Sequence, residues 1–208
     1  MTTTFYIVRH GQSEGNVDGD IMGANPPLTQ TGIAQAQALA QQFTSIPIDQ
    51  IIASNLLRAK QTAEVIAAHT NLPVSDDARI RERLFGNLEG VKGTEVSQKY
   101  QQQLEQFKEI PLADQMRWKL VEDMESLEEV LQRTLHFLKS ITKAHQHQTI
   151  LLVTHANVML ALLAHFSFIN SFKELPYGSI QNTAYLKVEK NADQYQLVEV
   201  VGITKKPA

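Results

Sequence analysis

Two stretches of this chain are apolar without a break and then stop at a histidine. Phe5-Tyr6-Ile7-Val8 runs into Arg9-His10-Gly11, and Ile150-Leu151-Leu152-Val153 runs into Thr154-His155. Aromatic and β-branched residues favour extended backbone, and an unbroken apolar run suits a strand covered on both faces. The pattern predicts strands over 5–9 and 149–154. Ile33, Ala36, Leu39, Ala40 and Phe43 recur at helical spacing, with Thr29 or Thr31 placed to cap their helix. Residues 48–53 read as a second short strand. Ser54-Asn55 reads as the N-cap of a helix from 56 to about 69, which Asn71-Leu72-Pro73 ends. Residues 80–84 read as extended or irregular, and Gly86, Gly90 and Gly93 mark loop. Long polar–apolar periodicity predicts helices over 94–108 and 126–144, with a further helix near 157–166. Two closing strands follow near 182–189 and 195–203, joined by a turn at Asn191-Ala192-Asp193.

Strands alternating with helices predict an α/β fold: a three-layer α/β/α arrangement, the sheet mostly parallel and flanked by helices on both faces. The chain reads as a single domain over 1–208. Residues 91–130, where Pro111 and an irregular stretch around Trp118 separate two helices, read as a small helical lid insertion. In an open α/β sheet, ligands gather beyond the carboxyl ends of the strands. Two strands that each end in histidine therefore place two imidazoles at one edge, at the mouth of a site.

Composition narrows the partners. The 208 residues are 43% hydrophobic and 20% charged, as in an ordinary globular domain. A formal charge of -3 gives no global basic field, so nucleic acid is not an expected partner and an anionic ligand must be captured locally. With no cysteine, the chain has no disulfide, no thiolate metal site and no cysteine nucleophile. No apolar run reaches the length of a membrane span, and Met1-Thr2-Thr3-Thr4 lacks the basic and apolar regions of a signal peptide. A cytoplasmic location is the expectation, and the pattern is compatible with a homodimer.

The chemistry follows from the strand ends. A neutral imidazole attacks phosphorus when its tautomer is held and neighbouring cations bind the phosphoryl oxygens. Arg9 stands beside His10, and a guanidinium fork matches phosphate in bidentate geometry. Arg58 falls in the first turn of its helix, where the macrodipole disfavours a cation by roughly 0.3–1 kcal/mol. An anion bound there reverses the penalty. A leaving oxygen needs a proton, and Arg81-Glu82-Arg83-Leu84-Phe85-Gly86-Asn87-Leu88-Glu89-Gly90 offers two carboxylates. Glu82 lies straight after an expected extended stretch beside bulky Leu84 and Phe85, whereas Glu89 reads as structural or pocket-lining. His145 and His147 near a helix end read as solvated or dipole-complementing groups, not as a metal pair.

Six ordered blocks resemble the histidine phosphatase superfamily, in its phosphoglycerate-mutase-like branch. Arg-His-Gly-x-Ser-x-x-Asn is complete in residues 9–16. Pro27-Leu28-Thr29-x-x-Gly32 with Gln35-Ala36 follows, then Ser54-x-Leu56-x-Arg58-Ala59-x-Gln61-Thr62-Ala63. Glu82-Arg83-x-Phe85-Gly86-x-x-Glu89-Gly90 is the fourth block, Glu125-Ser126-Leu127-Glu128-Glu129-Val130 with Arg133 the fifth, and Val153-Thr154-His155 the last. The resemblance implies that His10 is a nucleophile that becomes phosphohistidine, that Arg9, Arg58 and His155 bind the transferring phosphoryl group, and that Glu82 is the acid and then the base for water. It implies that Asn16, Gln12, Ser13, Gly23 and Ala156 lie on the substrate side, and that neither metal nor cofactor is required.

The implied activity is a metal-independent phosphomonoesterase acting on a small phosphorylated metabolite. Ala156 departs from the glycine usual in phosphatase members, and Gln12 replaces the glutamate common in mutases. A cofactor-dependent phosphoglycerate mutase is the alternative. Those mutases usually run longer and carry an extra arginine pair and an Asn-Lys after the acid block, where this chain has Val91-Lys92-Gly93. A catalytically dead scaffold that binds phosphorylated ligands is a further alternative, opposed by the complete residue set. Lys92, Arg117, Trp118 and Lys119 are placed in the insertion to meet a second anionic group.

Overall fold

The computed structural model describes residues 2–19, 21, 25–191 and 194–206. In chain order it contains β1 (Thr3–Arg9), α1 (Glu14–Asp18), α2 (Gln30–Gln42), β2 (Gln50–Ala53), α3 (Leu57–Thr70) and β3 (Val74–Asp76). There follow α4 (Gly93–Lys99), α5 (Gln101–Glu109), α6 (Leu112–Arg117), α7 (Leu127–Ala144), β4 (Thr149–Thr154), α8 (Ala156–His165), β5 (Ile180–Lys190) and β6 (Tyr195–Ile203). The strands form one six-stranded sheet in the order β3-β2-β4-β1-β5-β6. The first four run parallel, and β5 and β6 add an antiparallel edge beside β1.

Side-chain alternation divides the interior into two layers. Phe5 and Ile7 of β1, Ile52 of β2 and Ile150 and Leu152 of β4 pack on one face with Phe137 and Leu138 of α7 and Met159 and Leu162 of α8. Tyr6, Val8, Ile51, Ala53, Leu151 and Val153 face the other way, against Leu39 and Ala40 of α2 and Ala59, Ala63 and Ile66 of α3. A period of two along each strand produces this split, and helices on both faces account for the unbroken apolar runs 5–8 of β1 and 150–153 of β4. The expected three-layer α/β/α fold is therefore the one observed.

Local chemistry sets the helix starts. The Thr29 hydroxyl accepts from the Gly32 N–H at 3.0 Å, capping α2. Ser126 and Glu129 form a reciprocal capping box at α7, in which Glu129 accepts the Ser126 N–H at 2.6 Å. At α3 the cap is Leu56, not Ser54 or Asn55. The Ser54 hydroxyl lies 2.8 Å from His155 Nε2 instead, so the expected capping group is engaged in the site.

The segment expected over 94–108 is not one helix. It breaks at Tyr100 (φ -112°, ψ 23°) into α4 and α5. Val96 is buried in α4 and nothing is buried in α5, so no continuous apolar stripe holds one axis across the joint. The pattern also passed over β3, the single-turn α1 and α6, each too short to show a period. The expected turn at residues 191–193 lies partly outside the described residues.

Candidate active site

The register of β1 against β4 builds the site. Val8 lies opposite Val153 and Arg9 opposite Thr154, so His10 and His155 follow side by side where the strands end. Their ring centroids are 5.1 Å apart and both rings are fully buried. His10 Nδ1 lies 2.6 Å from the Gly11 carbonyl. A carbonyl only accepts, so Nδ1 carries the hydrogen and Nε2 keeps its lone pair. Arg58 Nε donates to that Nε2 at 3.2 Å. Burial first, then Arg58 and Arg9, push the His10 pKa well below the ordinary imidazole value. His155 is lowered likewise, by burial and then by His10, Arg58 and Arg9. Two neutral imidazoles result, one with an unprotonated nitrogen turned to the arginines.

The guanidinium groups gather with donors unspent. Arg58 is the second residue of α3 and is fully buried, yet its Nη1 and Nη2 have no protein acceptor. Arg9 Nη1 donates to the Ile180 carbonyl, while its Nε is buried and unpaired, as is Arg81 Nε. Burial depresses the pKa of Arg58 and Arg9, opposed in both by the nearby Glu82 carboxylate. A buried donor without an acceptor costs about 1–3 kcal/mol, more when charged. A cluster of them at one strand edge is arranged for an anion. The amino end of α8, whose N-cap is His155, adds its first N–H groups at Ala156.

Glu82 is held in place from behind. Its Oε1 accepts from the Arg83 N–H at 2.9 Å and from the Asn157 N–H at 3.3 Å. Arg133 donates to Glu125 through Nε at 2.7 Å and Nη2 at 3.0 Å, and to the Arg79 and Glu82 carbonyls at 2.7 and 3.3 Å. The Thr154 hydroxyl donates to the Ile80 carbonyl at 2.7 Å. The Glu125…Arg133 block thus fastens the loop that carries Glu82. Glu89 Oε1 accepts the Phe85 N–H at 3.1 Å, within the turn that follows Glu82.

The loop after His10 depends on a close backbone approach. A Cβ on Gly11 would lie 2.4 Å from the Gly32 carbonyl oxygen, and one on Gly32 2.0 Å from that of Gln12. Side-chain carbonyls of Gln35 and Gln61 accept from the Gln12 and Leu28 N–H groups, both at 2.8 Å. Thr62 Oγ1 accepts from Gly11 N–H at 3.0 Å. The glycine, glutamine and threonine positions of the second and third blocks are explained by this one loop.

The structure places the other expected residues as follows. Gln12 Oε1 is taken by the Thr29 hydroxyl at 2.8 Å. Ser13 is buried, and its N–H and hydroxyl meet Asn16 Oδ1 at 3.0 and 3.1 Å. Gly23 lies outside the described residues. In the insertion, Arg117 and Lys119 pair with Glu128 and Glu129 on α7 at 3.2 and 2.8 Å, and Lys92 Nζ donates to the Asp18 carbonyl at 3.1 Å. Among the described residues no three His, Asp or Glu side chains gather in a metal-holding cluster. One residue that sequence reasoning missed is Asn182, whose Nδ2 donates to the His10 carbonyl at 3.0 Å. An asparagine inside a β-patterned segment, where it is depleted, was the available signal.

A family model, histidine phosphatase superfamily (branch 1), matches residues 5–202. An uncharacterised phosphatase PhoE from Bacillus subtilis is 29% identical over 166 residues, covering 79% of this chain and 78% of its own. Phosphoserine phosphatase 1 from Hydrogenobacter thermophilus is 34% identical over 157 residues, 75% of this chain and 72% of that one. Among solved structures, Bacillus stearothermophilus YhfR superposes with a TM-score of 0.83 at 27% identity, over 97% and 98% of the two chains. The chain belongs to the histidine phosphatase superfamily, branch 1.

Proposed function

We propose that this member of the histidine phosphatase superfamily hydrolyses a small phosphomonoester through a phosphohistidine intermediate on His10, without a metal. The observation that carries the proposal is the His10 ring itself. Its Nδ1 is committed to the Gly11 carbonyl, and its Nε2 lone pair accepts only from Arg58 Nε, whose neighbouring Nη1 and Nη2 have no protein acceptor. Relatives named as phosphatases support the hydrolytic reading, and phosphoserine phosphatase 1 supports a small metabolite as substrate.

The route balances in two steps. The phosphoryl group binds with its oxygens toward Arg58, Arg9, His155 and the Asn16 amide, and Arg58 exchanges its bond to His10 for phosphoryl oxygens. His10 Nε2 forms an N–P bond as the P–O ester bond breaks, and Glu82 gives its proton to the departing alkoxide oxygen. Water then attacks phosphorus, Glu82 takes a proton from it, the N–P bond breaks, and phosphate and neutral His10 are regenerated. Fixed guanidinium and N–H donors supply the charge stabilisation in both steps. The helical segment over 91–130 acts as the lid that meets the leaving group.

The test is hydrolysis of para-nitrophenyl phosphate with excess chelator, wild type beside His10→Ala. Chelator-resistant turnover lost in the variant, with the fold intact, is the expected result. Substantial residual turnover in His10→Ala would put the nucleophile elsewhere. A coupled assay for interconversion of 3- and 2-phosphoglycerate checks the mutase alternative, for which no such activity is expected.

A further inference from the structure

The antiparallel edge of the sheet carries an irregularity that bears on the site. The pairing of β5 with β6 slips register between Ile180 and Tyr185. Within the slip Thr183 holds φ 61°, a genuine outlier for a β-branched residue. Gly202 in β6 holds φ 73°, and a Cβ there would meet Ala184 at 3.0 Å. Bulges beside active sites re-aim side chains, and strain kept in a folded chain points to a geometric task. The side chain beside the strained residue is Asn182. Its Nδ2 donates to the His10 carbonyl at 3.0 Å and lies 3.4 Å from Asn16 Oδ1.

Both acceptors matter for the chemistry. The peptide between His10 and Gly11 is held at its other end, where the Gly11 N–H donates to Thr62 Oγ1 at 3.0 Å. Thr62 is itself fixed by its 2.7 Å bond to the Arg58 carbonyl. The next carbonyl, that of Gly11, is the acceptor of His10 Nδ1. A tilt of the His10–Gly11 plane would therefore move the group that sets the tautomer of the nucleophile. Asn16 Oδ1 also accepts from the Ser13 N–H and hydroxyl, which turns the Asn16 NH2 away from these donors.

We propose that Asn182 is a positioning residue for His10: with Thr62 it clamps the His10–Gly11 peptide plane, and with Ser13 it orients the Asn16 amide. The distorted backbone at Thr183 exists to aim it. This rests on the role proposed above for His10, and one readout below is independent of turnover.

Asn182→Ala and the isosteric Asn182→Asp are compared with wild type, and the His10 ring is observed by 15N NMR, assigned with His10→Ala. Wild type shows a protonated Nδ1 and an unprotonated Nε2; both variants shift toward mixed tautomers at neutral pH. Their kcat on para-nitrophenyl phosphate falls by about 10- to 100-fold while KM stays within about twofold, as expected for misplacement of a reacting group. In Asn182→Asp the ratio to wild-type kcat recovers as pH falls through the carboxyl range near ~4, because the protonated acid donates to the His10 carbonyl again. An unchanged tautomer with unchanged kcat in both variants overturns the proposal, as does a lowered Tm with kcat retained. If wild type hydrolyses no phosphoester, the functional reading fails, and the tautomer shift still decides the role of Asn182.

Discussion

The carboxyl edge of β1 and β4 and the helical segment α4–α6 are built in opposite ways. At the edge, His10, Arg58 and His155 are fully buried. Yet several of the donors there, Arg58 Nη1 and Nη2 among them, have no protein acceptor. In α4–α6 the reverse holds. The side chains are mostly exposed, and three cations on or beside them are ion-paired: Lys108 with Glu105, Arg117 with Glu128, Lys119 with Glu129. A surface pair is worth at most about 1 kcal/mol, whereas a buried unsatisfied charge is a real destabilisation. Unpaired guanidinium donors of Arg9, Arg58 and Arg81 are thus gathered at the edge, where the proposed phosphoryl group would meet them. Stability and chemistry are separable here, and substitutions can pull them apart.

Arg58→Met gives the largest expected effect. It removes a buried cation whose two terminal nitrogens are unpaired and replaces it with a flexible apolar side chain. Turnover should fall by roughly 10³-fold, the scale for losing a donor that stabilises transition-state charge. Thermal stability should rise, by about 1–3 kcal/mol, because an uncompensated charge is gone. Steady-state kinetics with a calorimetric scan checks both signs together. A large loss of stability would mean that the donors are satisfied in solution by something fixed.

Arg133→Met sharpens the contrast, since this guanidinium is fully engaged. It holds both Glu125 oxygens and the carbonyls of Arg79 and Glu82. Here stability should fall, by about 2–4 kcal/mol for a largely buried pair that loses one partner. Turnover should fall by about 10- to 100-fold as Glu82 loses its backing. Denaturant midpoints of the two arginine variants should therefore move in opposite directions.

pH probes the same edge without mutation. His10 and His155 have folded pKa values well below 6.5, whereas the unfolded chain titrates them near that value. The unfolded state therefore takes up protons first as pH falls. The stability held by the neutral pair is complete above about 6.5 and is lost progressively below it, by a few kcal/mol at most. Tm should drop between pH 7 and 5, and His10→Ala should flatten the slope. Inorganic phosphate should restore part of the loss, because a bound anion favours protonated neighbours.

Much of this was legible in the sequence because the edge is local. Strand, arginine, histidine and glycine are contiguous at 5–11, and the apolar run at 150–153 announces a buried partner strand. The pairing of Arg9 with Thr154 then brings the histidines together with no further information. What was illegible depended on distant register. Asn182 reaches His10 only through a bulge between two strands near the end of the chain, and no periodicity encodes a bulge. Ser54 looked like a helix cap because its competing partner, His155, is a hundred residues away. In α4 and α5 the glutamine-rich faces give no continuous buried stripe, so the break at Tyr100 had no signal to follow.

The smallest expected effect on chemistry lies in that segment. Phe107 of α5 stacks near Trp118 and Phe172, with ring centroids at 4.7 and 6.1 Å, and so ties the segment to the core. Phe107→Ala removes aromatic contacts worth about 0.5–1.5 kcal/mol per pair beyond area burial, and stability should fall by about 1–3 kcal/mol. No group that touches the phosphoryl position moves, so kcat on para-nitrophenyl phosphate should stay within about twofold, while KM for a bulkier phosphoester should rise. The size of that rise measures how far the segment contacts the leaving group. An equal fall in kcat for both substrates would show that the two regions are coupled through the sheet, and that the division between a fixed floor and an adaptable cover is wrong.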